Sequence, residues 1–128
     1  MEKKEYFIQS ETISYNSGKT AGTVFKEIIL NSSYDRCIGI AVLESKDGGI
    51  PAYRIGLDDK DKQYISVVHK DMLLSDKTAG MSIKQRFLPQ NIKAAGHRVK
   101  VATAIPVNLV DDLEYDFVFL LEREPQKQ

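Results

Sequence analysis

The sequence predicts an all-β protein, an antiparallel β-sandwich or jelly roll of about seven to eight strands. Three observations lead there. Apolar residues alternate with a period of two along most of the chain. Gly and Asp punctuate the apolar runs at regular spacing. No segment keeps a helical period long enough to be stable alone. Residues 1–128 read as one domain, with 124–128 (Glu-Pro-Gln-Lys-Gln) expected to fray.

The first two runs are Tyr6 to Tyr15 and Thr23 to Leu30, separated by the turn-forming Asn16-Ser17-Gly18-Lys19-Thr20. In the second, Val24, Ile28 and Leu30 share the expected core face, and Lys26 is the exception. Ile38, Ile40 and Val42 then alternate with Cys37, Gly39, Ala41 and Leu43. Both sets are apolar, so this strand is expected to be buried on both faces. Asp47-Gly48-Gly49 follows, a hairpin signal between β-patterned runs, with Tyr53, Ile55 and Leu57 on the returning strand. Asp58-Asp59-Lys60-Asp61-Lys62 reads as a solvated turn leading into Gln63 to Val68.

Asp71 to Lys77 and Leu109 to Leu113 are long enough for a single helical turn each, and Ser75 to Gln85 reads as a long polar loop or edge segment. His97, Val99, Val101, Thr103 and Ile105 form one face of a strand that Pro106 closes, because proline cannot donate to a ladder. Tyr115, Phe117, Phe119 and Leu121 form one face of the last strand, whose other face is half apolar. These two C-terminal strands are expected to form the heart of the core.

Composition narrows the function. Hydrophobic residues are 42% and charged residues 28% of 128, which suits a folded soluble domain. Lys+Arg and Asp+Glu number 18 each, so no basic excess is present to hold nucleic acid. The lone Cys37 excludes an intrachain disulfide and a cysteine-cluster zinc site, and suits a reducing compartment. The start lacks a signal-peptide pattern, and no 18-residue apolar run occurs.

Each motif has a plain competitor. Gly18-Lys19-Thr20 lacks the earlier glycine of a phosphate loop, since Ile13 stands there, so a turn is expected. Asp58, Asp59 and Asp61 gather oxygen ligands of the kind calcium takes, with Asp111 and Asp112 as possible helpers. An EF-hand is excluded because Gln63 and His69 occupy its glycine and glutamate positions. His69 with Asp71, and His97, supply the imidazoles, while Cys37 in an apolar strand reads as an inert hydrophobe. Asn31-Ser32-Ser33 matches a glycosylation acceptor but reads more simply as a polar loop. Tyr6, Tyr53, Tyr64 and Tyr115 suit either a sugar-stacking platform or interior packing.

Taken together, Gly39 to Glu44, Asp47-Gly48-Gly49, Tyr53 to Leu57, Val68 to Asp71, Arg86 to Pro89 and Tyr115 to Leu120 form a recognisable pattern. It resembles small β-sandwich virion proteins of tailed phages that infect gut bacteria. The resemblance covers about residues 35 to 122 and implies a capsid- or tail-associated structural role in symmetric copies, without catalysis or any transferable site residue.

The expectation is therefore a non-enzymatic structural protein of the virion, made in the host cytoplasm. Its expected partners are further copies of itself and other virion proteins, with no cofactor, no nucleic acid and no membrane. The alternative is a carbohydrate- or small-ligand-binding sandwich, with or without calcium at Asp58, Asp59 and Asp61.

Overall fold

Eight β-strands form among the described residues of the computed structural model, which are 3–59, 62–70, 73 and 87–125. They are β1 (Glu5–Tyr15), β2 (Gly22–Ile29), β3 (Arg36–Asp47), β4 (Arg54–Asp58), β5 (Gln63–His69), β6 (Leu88–Lys93), β7 (Arg98–Ile105) and β8 (Leu113–Arg123). One four-stranded sheet has the order β1-β8-β3-β6 and the other β2-β7-β4-β5. Every neighbouring pair is antiparallel. The pairs nest as β1 with β8, β2 with β7, β3 with β6 and β4 with β5. That nesting is one long hairpin rolled across two sheets, the jelly roll.

The core lies between the sheets. Val99, Val101 and Ile105 of β7 face Phe117, Phe119 and Leu121 of β8 from the opposite sheet, and all six are buried. Phe117 and Phe119 pack with ring centroids 5.1 Å apart. The expected heart of the core is therefore present, with one wall in each sheet.

Several local expectations need correction. Asp47-Gly48-Gly49 is not a hairpin turn, because β3 and β4 belong to different sheets. Gly48 and Gly49 have φ of 75° and 67°, in the left-handed region. Gly48 N–H donates to Asp112 O, and its carbonyl accepts from Val110 and Asp111, so the turn docks on the β7–β8 loop and crosses over. A Cβ on Gly48 would stand 2.8 Å from the Leu109 side chain. The turn at Asn16 to Thr20 likewise crosses between sheets.

In β3 a bulge between Cys37 and Gly39 shifts the alternation. Cys37 therefore joins Ile40 and Val42 in the core, where the unbroken pattern put Cys37 and Ile40 on opposite faces. β6 was not expected as a strand. Pro89 discourages that reading, yet β6 is an edge strand, where a missing N–H is tolerated. Leu109 to Leu113 forms no helical turn but a bend running into β8. Asp71 to Lys77, apart from Leu73, and Ser75 to Gln85 lie outside the described residues. Of the expected frayed tail, Glu124 and Pro125 are described, and Glu124 N–H donates to Asp35 at 3.4 Å.

Candidate functional site

The jelly-roll path gathers loops at two ends. At one end the 30–35 and 94–97 connections meet, with Asp59 beside them: Leu30 N–H donates to His97 O, Gly96 N–H to Leu30 O, and Ala94 N–H to Asp35 O, while His97 meets Asp59. At the other end the 16–21, 48–53 and 106–112 connections meet through Gly18, Gly48, Leu109 and Asp112.

The aspartate turn belongs to the first end. Asp59 is turned inward, its side chain only 5% exposed. Its Oδ1 accepts from Lys62 N–H at 2.7 Å, and its Oδ2 accepts the Tyr64 hydroxyl at 2.6 Å. His97 Nε2 meets the same Oδ2 at 2.7 Å. The turn expected to be solvated is thus anchored through Asp59, which ties the β4–β5 hairpin to the β6–β7 loop. Asp58 stands opposite Lys100 in the ladder, and its Oδ1 is buried with no hydrogen-bond partner among the described residues. Asp61 lies outside the described residues. A cleft of about 390 Å³ opens here beside Glu27, Asp59, His97, Arg98 and Lys100. Arg98 Nη1 lies 3.0 Å from Glu27 in its wall, and His97 lies 2.7 Å from Asp59.

The second end holds a polar stack that composition alone does not reveal. Lys70 Nζ and the Tyr53 hydroxyl both donate to Glu44 Oε2, at 2.6 and 2.7 Å. Lys70 Nζ lies 5.0 Å from the Tyr53 ring centroid. Tyr53 stacks on Tyr115 at 5.7 Å, and the Tyr115 hydroxyl shares a 2.6 Å hydrogen bond with Thr103. Burial, then the neighbouring Glu44 carboxylate, push the Tyr53 hydroxyl well above the phenol range. Burial does the same to Tyr115, partly offset by Thr103. Both phenols stay neutral; Tyr53 donates to Glu44, and the Tyr115–Thr103 bond joins β8 to β7 across the two sheets. Tyr53 and Tyr115 are fully buried, so they form no platform with the exposed Tyr6.

The remaining candidates separate in space. Cys37 is buried in the β1-β8-β3-β6 sheet, and burial pushes its thiol up to about 11. His69 stands opposite Arg54 at the far end of the hairpin from His97. Asn31 accepts Ser33 N–H at 2.8 Å, the polar turn expected for that segment. Asp112 accepts Ser17 N–H, and Asp47 accepts Gly49 N–H, so both carboxylates hold loops together. No group of three or more His, Cys, Asp or Glu among the described residues could hold a metal ion.

The surface feature that sequence reading missed is apolar exposure along two edge strands. Tyr6, Phe7 and Ile8 of β1 are 43, 41 and 46% exposed, and Phe25 and Ile29 of β2 are 60 and 54% exposed. β1 and β2 end their sheets on the same side of the sandwich. Side chains bridge the gap between them: Gln9 Nε2 donates to Ile29 O, Asn31 N–H to Gln9 Oε1, and Lys26 Nζ to Thr12 O at 3.1 Å. This explains Lys26, the exception on its face, as a clasp across the open side. Period two was the available signal, because Phe25 and Ile29 alternate with the core residues Val24 and Ile28.

No family model matches the chain, and no curated protein does. A similar solved structure is that of infectious bursal disease virus, Gx strain, at 9% identity and a TM-score of 0.27. The alignment covers 96% of this chain and 42% of that one, so this chain spans less than half of that neighbour. A likeness at that level carries no argument, and the jelly roll stands on strand order alone. No helix among the described residues is long and apolar enough to cross a membrane.

Proposed function

We propose that this chain is a non-enzymatic structural protein that assembles as symmetric homo-oligomers, as a capsid- or tail-associated component of a phage virion. The observation that carries the reading is the exposed apolar edge of the sandwich, Tyr6 to Ile8 with Phe25 and Ile29. Soluble monomers usually blunt edge strands with charge, proline or a covering element, because an open edge templates pairing with another chain. Formal neutrality adds to this, since 18 cationic and 18 anionic residues leave little net repulsion between copies. The jelly roll recurs in viral capsid and lectin domains, which supports the virion reading by fold-level analogy. Between those two, the inward burial of Tyr53 and Tyr115 favours assembly over sugar stacking.

Size-exclusion chromatography with light scattering tests assembly. Species at multiples of 14.4 kDa that grow with concentration are expected. A monomer persisting at the highest attainable concentration overturns the reading. Quantitative mass spectrometry of purified particles tests the virion half, where absence of the chain would exclude it.

A further inference from the structure

We propose that the outer edge of β2 pairs with the same edge of a second copy, antiparallel, about a twofold axis at Phe25. The proposal rests on the assembly reading and names its surface.

Backbone direction comes first. Leu30 N–H donates to His97 O, towards β7, whereas Ile29 O accepts from Gln9 on the opposite side. In an antiparallel ladder, backbone groups alternate between the two sides of a strand. Val24, Lys26 and Ile28 therefore bond β7, while Thr23, Phe25, Glu27 and Ile29 turn outward. The neighbouring β1 edge is guarded at Thr12, whose carbonyl is capped by Lys26. That contact also draws the Lys26 ammonium away across the sandwich gap.

The register follows from comparing axes at the three adjacent positions Phe25, Lys26 and Glu27. Outward residues must stand opposite outward residues, and the two opposed side chains share a face. An axis at Lys26 sets Lys26 against its own copy and uses Ile29, whose carbonyl is taken. An axis at Glu27 sets two carboxylates together. An axis at Phe25 opposes Phe25 to itself and Thr23 to the copy's Glu27, with no like charges opposed. The Phe25 rings, 60% exposed in the single chain, become an aromatic cross-strand pair. Beside each ring lies the small Ala102, opposite Phe25 in the ladder, and then Gly56, opposite Ala102. The contact is isologous and closes as a dimer.

Cross-linking and an edge-blocking proline test this on the full chain. Residues opposed in such a hydrogen-bonded pair lie about 5.5 Å apart at Cα, within disulfide reach. Phe25→Cys is expected to oxidise to a covalent dimer, with Cys37 silent in the core. Glu27→Pro removes an outward N–H that the monomer does not use, and should weaken association roughly tenfold or more while leaving the melting transition cooperative. Ile8→Pro, on the β1 edge, should leave association unchanged. If the wild type associates but Phe25→Cys forms no disulfide and Glu27→Pro still associates, this edge is wrong and the assembly reading survives. If Ile8→Pro alone dissociates the assembly, β1 is the interface. A wild type that stays monomeric overturns both.

Discussion

β8 and β2 are written in the same apolar code and end in opposite situations. Both alternate with period two, and both carry apolar residues on both faces. In β8 the inner set, from Leu113 to Leu121, is sealed in the core, and Val118 and Leu120 of the outer set are buried as well. β8 lies between β1 and β3, and on that outer face Gly39 sits opposite Leu120. There a Cβ on Gly39 would meet Phe87 at 2.8 Å, so the glycine lets that ring close down. In β2 only one side is paired, and Phe25 and Ile29 remain bare. Sheet position, more than composition, decides whether an apolar side chain is sealed in the fold or stays exposed.

The contrast breaks most readily at Phe119. Phe119→Ala should cost about 3–5 kcal/mol in a denaturant melt, from lost burial and the cavity left behind. A loss under about 1 kcal/mol, as at an exposed site, would remove β8 from the core.

Alkaline pH probes the same interior. Burial raises the Cys37 thiol from 9.0 to about 11, while the unfolded thiol stays near the lower value. Its contribution is fully present below pH 9 and lost as pH rises towards 11, on the order of 2 kcal/mol. Tyr53 and Tyr115, raised for the same reason, add to the loss above the ordinary phenol range. Melts of the wild type and Cys37→Ala should converge over that window, and parallel curves would contradict the burial.

Tyr115→Phe removes a buried hydroxyl that meets Thr103 and should cost about 1–2 kcal/mol by the same melts. The smallest effects fall on the open side. Phe25→Ser and Asp116→Asn should each change monomer stability by no more than about 0.5 kcal/mol. Of these two, only Phe25→Ser should reduce association.

Much of the fold was legible because a half-buried sheet imposes period two on its sequence. Seven strands and the β7 and β8 core faces follow from that alone. β6 was hidden by Pro89, and the face of Cys37 by a bulge that adds one residue to β3 relative to β8. The turns at Gly18 and Gly48 carry hairpin chemistry, but their partners are the distant Leu109 and Asp112, and sequence spacing does not encode long-range docking. The clasp of Asp59 by Tyr64 and His97, and that of Glu44 by Tyr53 and Lys70, were illegible for the same reason. Period two showed apolar residues on both faces of β2, but an apolar residue looks alike whether its strand is central or terminal, so the bareness of Phe25 and Ile29 was not legible.

Residue-resolved amide exchange along β2, at low and high protein concentration, tests the central claim most directly. In dilute monomer Lys26 and Ile28 should be protected by β7 while Phe25 and Glu27 exchange freely. In concentrated protein Phe25 and Glu27 should become protected as the edge finds its copy. Assembled protein whose Phe25 and Glu27 amides still exchange freely would contradict the account.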